Sequence, residues 1–188
     1  MYPLQNEQGD VLTWFGRDLR FSEKLSKWQR DGGNADDKPA KIRFVSGFRR
    51  GSELFGQHGS QRLKADPQLR DWLQTVGLLV VEGANDVIRL DTDNAAAVGL
   101  LSNAATDQQI QKIIRFARTA HSRVILLPDN DREGEDGFMR LHWHLSGVSD
   151  LETRLGWSRQ MYNGRFAGRQ PESITPDEWT FLKKQLVR

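Results

Sequence analysis

The chain contains no cysteine, which excludes disulfides, iron–sulfur clusters and thiolate zinc sites throughout its 188 residues. No apolar run approaches the roughly 18 residues that a membrane helix needs, and no signal-peptide pattern precedes the first polar stretch. No Walker phosphate loop, serine triad or dinucleotide glycine fingerprint is present either. What remains is 37% hydrophobic, 28% charged and 9% aromatic, the composition of a soluble globular protein large enough to bury a core without staples. A cytoplasmic protein is the expectation.

Net charge is only +2, but it is unevenly spread. Residues 1–70 carry 13 basic and 9 acidic side chains, residues 71–188 carry 14 and 16. The excess concentrates in residues 38–64, where Lys38, Lys41, Arg43, Arg49, Arg50, Arg62 and Lys64 face only Glu53. Such a patch suits a polyanion, although charge runs are often no more than a solvated face.

Hydrophobic periodicity gives the architecture. Residues 10–15 and 42–45 read as strands, with a break at Gly16 and a loop over 29–37. From Pro67 the period changes: Leu69, Trp72, Leu73 and Val76 share a helix face that Gly77 ends. Leu78–Val81 is an unbroken apolar strand, expected to be covered on both faces. A second strand over 95–101, a helix opened by the Thr106-x-x-Gln109 capping box, a third strand over 124–127 and a helix marked by Phe138, Leu141 and Leu145 follow. Thr175-Pro176-Asp177-Glu178 opens a last helix. Strands alternating with helices at this pitch imply a mostly parallel sheet with right-handed crossovers. The divisions expected are a β-rich basic subdomain over 1–66, an α/β domain over 67–147 and a loop-and-helix extension over 148–188.

In such a sheet, chemistry gathers at the carboxyl ends of the strands. Glu82 lies one residue past its strand; Asp129, Asp131 and Glu133 follow another. Several carboxylates on one cleft edge repel one another unless a cation joins them, and hard oxygen donors without histidine or cysteine point to magnesium or manganese. An EF-hand is excluded, because position 12 of the loop would be Arg140 and a strand precedes it. A dehalogenase-like Asp-x-Asp would leave Glu82 unexplained, and simple helix capping would account for one aspartate but not for the whole set. His142 and His144 lie two apart on a helix and so face different directions.

Glu82-Gly83 after one strand and Asp129-x-Asp131-x-Glu133-Gly134 after another resemble the Toprim domain, and the context resembles that of bacterial-type DNA primases. Leu79 to Val87 is similar to the primase form, with Asp86 four positions after the glutamate. Residues 9–19 resemble a primase strand ending in Gly-Arg, and Phe48 to Gly56 resembles its basic-Gly-x-x-Leu-aromatic-Gly motif. The resemblance covers residues 9–147. It departs at Gln170-Pro171-Glu172-Ser173, where primases carry an Asp-Pro-Asp-like pair. Asp131-Arg132-Glu133-Gly134-Glu135 follows the topoisomerase variant more closely, but with Tyr2 and Tyr162 alone the chain is too short for that activity.

The resemblance implies a Toprim fold, Rossmann-like with a mostly parallel sheet and flanking helices, preceded by a small β-rich α+β subdomain. It implies metal-dependent nucleotidyl transfer that makes an RNA primer on single-stranded DNA. Glu82, Asp129 and Asp131 would be the catalytic residues; Glu82, Asp86, Asp129, Asp131 and Glu133 would hold Mg2+ or Mn2+; Lys41, Arg43, Arg49 and Arg50 would contact the template. Nucleoside triphosphates and a replicative helicase are the implied partners. A Toprim nuclease and a catalytically silent DNA-binding module are the alternatives. Primases of this kind also resemble proteins with an amino-terminal zinc domain, which needs cysteine, so the chain reads as a segment of a longer protein.

Overall fold

The computed structural model describes residues 1–187, with Ala35 described by its backbone alone. The chain order is β1 (Tyr2–Gln5), β2 (Val11–Arg17), α1 (Phe21–Arg30), β3 (Ile42–Phe44), α2 (Gly59–Arg62), α3 (Pro67–Thr75), β4 (Leu78–Val81), α4 (Ala84–Asp91), β5 (Ala97–Gly99), α5 (Asp107–Ala117), β6 (Arg123–Leu126), α6 (Arg132–Ser146), β7 (Glu152–Leu155) and α7 (Pro176–Leu186). Short 3-10 turns at Ala35–Asp37, Arg50–Ser52, Met161–Gly164 and Pro171–Ser173 punctuate it.

Two sheets result. The first is antiparallel in the order β1-β2-β3; the second is parallel in the order β5-β4-β6-β7. The mostly parallel sheet expected from the sequence is therefore present, with a small antiparallel sheet ahead of it. All four residues of β4 are buried, as an interior parallel strand requires. Its chain path goes first to β5 on one side, then across to β6 on the other. The carboxyl ends of β4 and β6 thus flank a topological switch point, where a crevice opens.

The large core includes Leu79, Val80, Ile125, Leu126, Ile113 and Phe138. Segments beyond residue 147 belong to it: Leu151, Trp157, Phe166, Trp179, Leu182 and Leu186 are all in the same cluster. The second cluster is small. Leu4 and Phe15 of the antiparallel sheet are buried with Ala84 at the start of α4, and Phe15 meets Phe44 at 5.0 Å and Phe55 edge-on at 5.6 Å.

Two helix caps fall where the sequence places them. Thr106 accepts from the Gln109 amide while Gln109 reaches back to the Thr106 amide at 3.1 Å, and Thr175 and Glu178 form the same box for α7. Elsewhere the structure differs from the sequence expectation. β2 does not break at Gly16 but runs to Arg17, because Gly16 stays in register opposite Arg43 of β3. Residues 21–30 form α1, with no buried residue; its Phe21, Leu25 and Trp28 lie on one face but are only half covered. α4 and β7 are further elements that periodicity does not reveal. The second apolar strand contracts to Ala97–Gly99.

Candidate active site

Glu82, Asp86 and Asp129 line one cleft of about 210 Å³ between the two sheets, together with Tyr2, Phe15, Arg17, Lys41, Leu101 and Gln170. Each acid is placed by its element. Glu82 follows β4 directly, and its Oε1 accepts from the Asp129 amide at 3.0 Å, which links the ends of β4 and β6. Asp86 sits in the first turn of α4, only 4% exposed. It accepts from the Gly83 amide at 2.9 Å and from the Glu172 amide at 2.9 Å. Asp129 Oδ2 accepts from the Gln170 side-chain amide at 2.7 Å, whereas its Oδ1 is buried without a partner among the described residues.

Electrostatics follow from that crowding. Burial, then the charge of Asp129, pushes Glu82 up to about 8. Burial outweighs two backbone hydrogen bonds at Asp86, which rises to about 7. Asp129 rises to about 6, again by burial first and the Asp131 charge second, while Lys41 pulls the other way. Three carboxyls in one cleft are thus all held toward their neutral forms.

Asp131 and Glu133 are placed differently. Asp131 is the N-cap of α6 and accepts from the Gly134 amide at 2.9 Å. It is exposed and outside the cleft lining, though near enough to raise both Glu82 and Asp129. Asp131 caps α6 as the capping alternative expects, through Oδ1. Glu133 is exposed and accepts from the Asn103 side chain at 2.7 Å. As the side chains stand, no three acidic or histidine residues among those described are close enough to hold an ion. Glu82, Asp86 and Asp129 thus line the cleft together, while Asp131 stands beside it, its charge acting on Glu82 and Asp129, and Glu133 turns to Asn103.

Gly134 explains how α6 approaches the site. A Cβ there would stand 2.4 Å from both the Asp129 carbonyl and Glu82 Oε1, well inside contact distance, so only glycine lets the helix start beneath the acids. Asn130, fully buried between the two aspartates, donates from its side chain to Phe166 O at 2.7 Å and from its amide to Arg169 O at 2.8 Å. That clasp brings Gln170 and Glu172 to the cleft. Gln170 is legible in the sequence only as the counterpart of a motif it does not match.

Among the basic residues, Lys41 lines the cleft. Arg43 is exposed on the other side of the small sheet and pairs with Asp18 at 3.1 Å. Arg49 and Arg50 are exposed at a 3-10 turn and do not reach the cleft lining. Arg17, not among the residues singled out as template contacts, does line it, at the end of the strand that Gly16 is expected to break.

Residues 79–155 match the family described as Toprim-like, so the parallel sheet with its terminal carboxylates is a Toprim domain. The chain is 30% identical over 183 residues to a DNA primase of Salmonella typhimurium, an alignment covering 95% of this chain and 26% of that protein. Among solved structures, the Escherichia coli primase catalytic core matches with a TM-score of 0.61 and 25% identity, over 98% of this chain and 51% of that one. A DnaG primase catalytic domain bound to single-stranded DNA shares the fold, with a TM-score of 0.63 and 24% identity over 99% and 50% of the two chains. Over nearly its whole length the chain is thus similar to bacterial-type DNA primases, and it spans about a quarter of its curated relative and half of the solved catalytic domains.

Proposed function

We propose that the chain is the catalytic centre of a primase, joining ribonucleotides on a single-stranded DNA template. The observation that carries this reading is the cleft at the β4/β6 switch point, where three carboxyls held toward neutrality face Lys41 and Arg17. The buried, unpartnered Asp129 Oδ1 and the mutual repulsion of the acids fit a divalent cation. Glu82, Asp86 and Asp129 would hold it, with Asp131 and Glu133 at the mouth. A bound Mg2+ or Mn2+ ion supplies charge neutralisation for a triphosphate and activation of a hydroxyl nucleophile.

The chain's own groups do the rest. Lys41 and Arg17 bind phosphate oxygens, orienting a nucleoside triphosphate toward the carboxylates. Glu82 Oε1 is occupied by the Asp129 amide, so Oε2 is the oxygen free to carry a proton. Before a cation binds, the Glu82 pKa lies near 8, so the carboxyl would give up that proton as the cation enters and then act as a ligand. The Phe15, Ile42 and Leu101 side of the cleft excludes water from one flank. Residues 1–66 present the template, residues 67–147 bear the acids, and residues 148–188 deliver Gln170 and Glu172. A replicative helicase is the partner proposed for the whole protein, and the cytoplasm its compartment; no helix among the described residues is long and apolar enough to cross a membrane.

The test is RNA synthesis from nucleoside triphosphates on single-stranded DNA with Mg2+. The parent should make product, and Glu82→Gln and Asp129→Asn should make none while keeping the parent's circular dichroism. Titration calorimetry should show metal binding at least about tenfold weaker in both variants. Unchanged metal affinity in both would remove the ligand roles, and strand scission without nucleotides would mark a nuclease instead.

A further inference from the structure

We infer that the outer face of the small antiparallel sheet is a stacking platform for a base of single-stranded nucleic acid, with Trp14 as the contact. The inference rests on the template reading above and extends it to a surface that the cleft does not include.

Strand alternation separates the two faces of this sheet. Tyr2, Phe15, Ile42 and Phe44 point inward, toward Phe55, Ala84 and Leu101. The register pairs Pro3 with Trp14, and Phe15 with Phe44, so the next pair outward brings Trp14 level with Val45. Trp14 is 47% exposed, Leu12 43% and Val45 59%. Trp14 thus stands in the middle strand of the sheet with about half its surface in water. Its indole N–H has no protein partner among the described residues, and its ring meets no other aromatic ring among them.

Charge names the occupant. Arg43 lies on the same outer face, opposite Gly16, beside which the exposed Met1 side chain stands. Lys41, immediately before β3, lines the cleft instead. Basic side chains therefore mark the β3 edge at Lys41, beside the cleft, and at Arg43, which is exposed and shares its charge with Asp18 at 3.1 Å. Both belong to the basic stretch of residues 38–64, as do the exposed Arg49 and Arg50. An apolar protein surface would gain nothing from that flanking, and a duplex hides the faces of its bases. A single strand offers both phosphates for the arginines and bare base faces for the indole. A strand leaving the cleft past Lys41 would round the β3 edge and meet Trp14.

Fluorescence anisotropy of a labelled oligothymidylate, titrated with the protein over a salt series, tests this. Trp14→Ala should bind roughly 5- to 100-fold more weakly at every salt concentration, with the slope of log K against log salt unchanged, because stacking releases no counterions. Trp14→Phe should recover most of the loss. The double variant Arg49→Ala, Arg50→Ala should instead flatten the slope, by about 0.7 for each phosphate no longer neutralised. Parent-like binding by Trp14→Ala, or a flattened slope, would overturn the stacking role while leaving the template reading in place. Failure of the parent to bind the oligonucleotide would overturn the template reading itself. A parent that sediments as a dimer and a Trp14→Ala variant that sediments as a monomer would assign the face to self-association and overturn the inference.

Discussion

The two sheets solve different problems. The parallel sheet buries all four residues of β4 and draws its core from elements as distant in sequence as Leu54 and Leu186. The antiparallel sheet buries Leu4, Thr13 and Phe15, and completes its small hydrophobic cluster with Ala84 from the other region. One region is held by its own interior, the other by what it leans on. The acids belong to the first and most of the cleft's cations and aromatic rings to the second, so the site is formed where a rigid body meets a lightly anchored one. Lightly anchored elements are the ones that open first.

The sharpest way to break this contrast is in the cores. Leu79→Ala, at a position with no exposure, should cost about 2–5 kcal/mol and lower the whole melting transition seen by calorimetry. Phe15→Ala should instead strip hydrogen-exchange protection from β1–β3 while β4 and β6 amides keep theirs. Equal loss in both regions would show one cooperative unit.

A smaller effect comes from pH. Glu82, Asp86 and Asp129 have folded-state pKa values of about 8, 7 and 6, all above those of free carboxyls, so the folded protein prefers them protonated. Their contribution is fully present below about pH 4 and is lost as pH climbs through that series. In EDTA, the melting temperature should therefore fall between pH 5 and pH 8, by about 2–4 °C for each kcal/mol lost, and saturating Mg2+ should offset the fall. Glu82→Gln should flatten the upper part of the curve; a flat parent profile would contradict the crowding.

The smallest expected change is at a cap. Thr106→Ala removes the acceptor for the Gln109 amide and a hydrogen bond to Gly51 O, at a cost of about 1 kcal/mol in urea unfolding. A loss near zero would mean that the buried Gln109 side chain, held by Glu53 O and Leu100 O, fixes the start of α5 unaided.

The readable parts of the sequence are those where one local signal outweighs its surroundings. Leu78–Val81 is apolar throughout, and Thr106-x-x-Gln109 and Thr175-Pro176-x-Glu178 are capping boxes followed by regular apolar spacing. α4 is hidden because Asp86 lies buried within it, a position that pattern alone assigns to solvent, and Gly83 gives no side-chain cap. β7, Glu-Thr-Arg-Leu, carries charges suited to an edge strand. At the site, Glu82 and Asp129 can be placed because residues just beyond parallel strands have nowhere else to go. That Asp131 stands beside the cleft and outside its lining is not visible in sequence, since a helix cap and a metal ligand ask for the same residue at the same spot. Nor can sequence show Asn130 reaching Phe166 and Arg169, a contact made by the fold and not by neighbours.

Between Phe55 and Gly99, each amide donates to the other's carbonyl at 2.9 Å. This bridge closes the outer side of β5, which would otherwise end the parallel sheet with unpaired backbone groups. Anyone dissecting the molecule thus meets a hidden seam: a fragment cut at Pro67 would discard Phe55 and bare that edge to other copies, inviting them to pair there. A fragment beginning before Leu54 would carry its own cover with it.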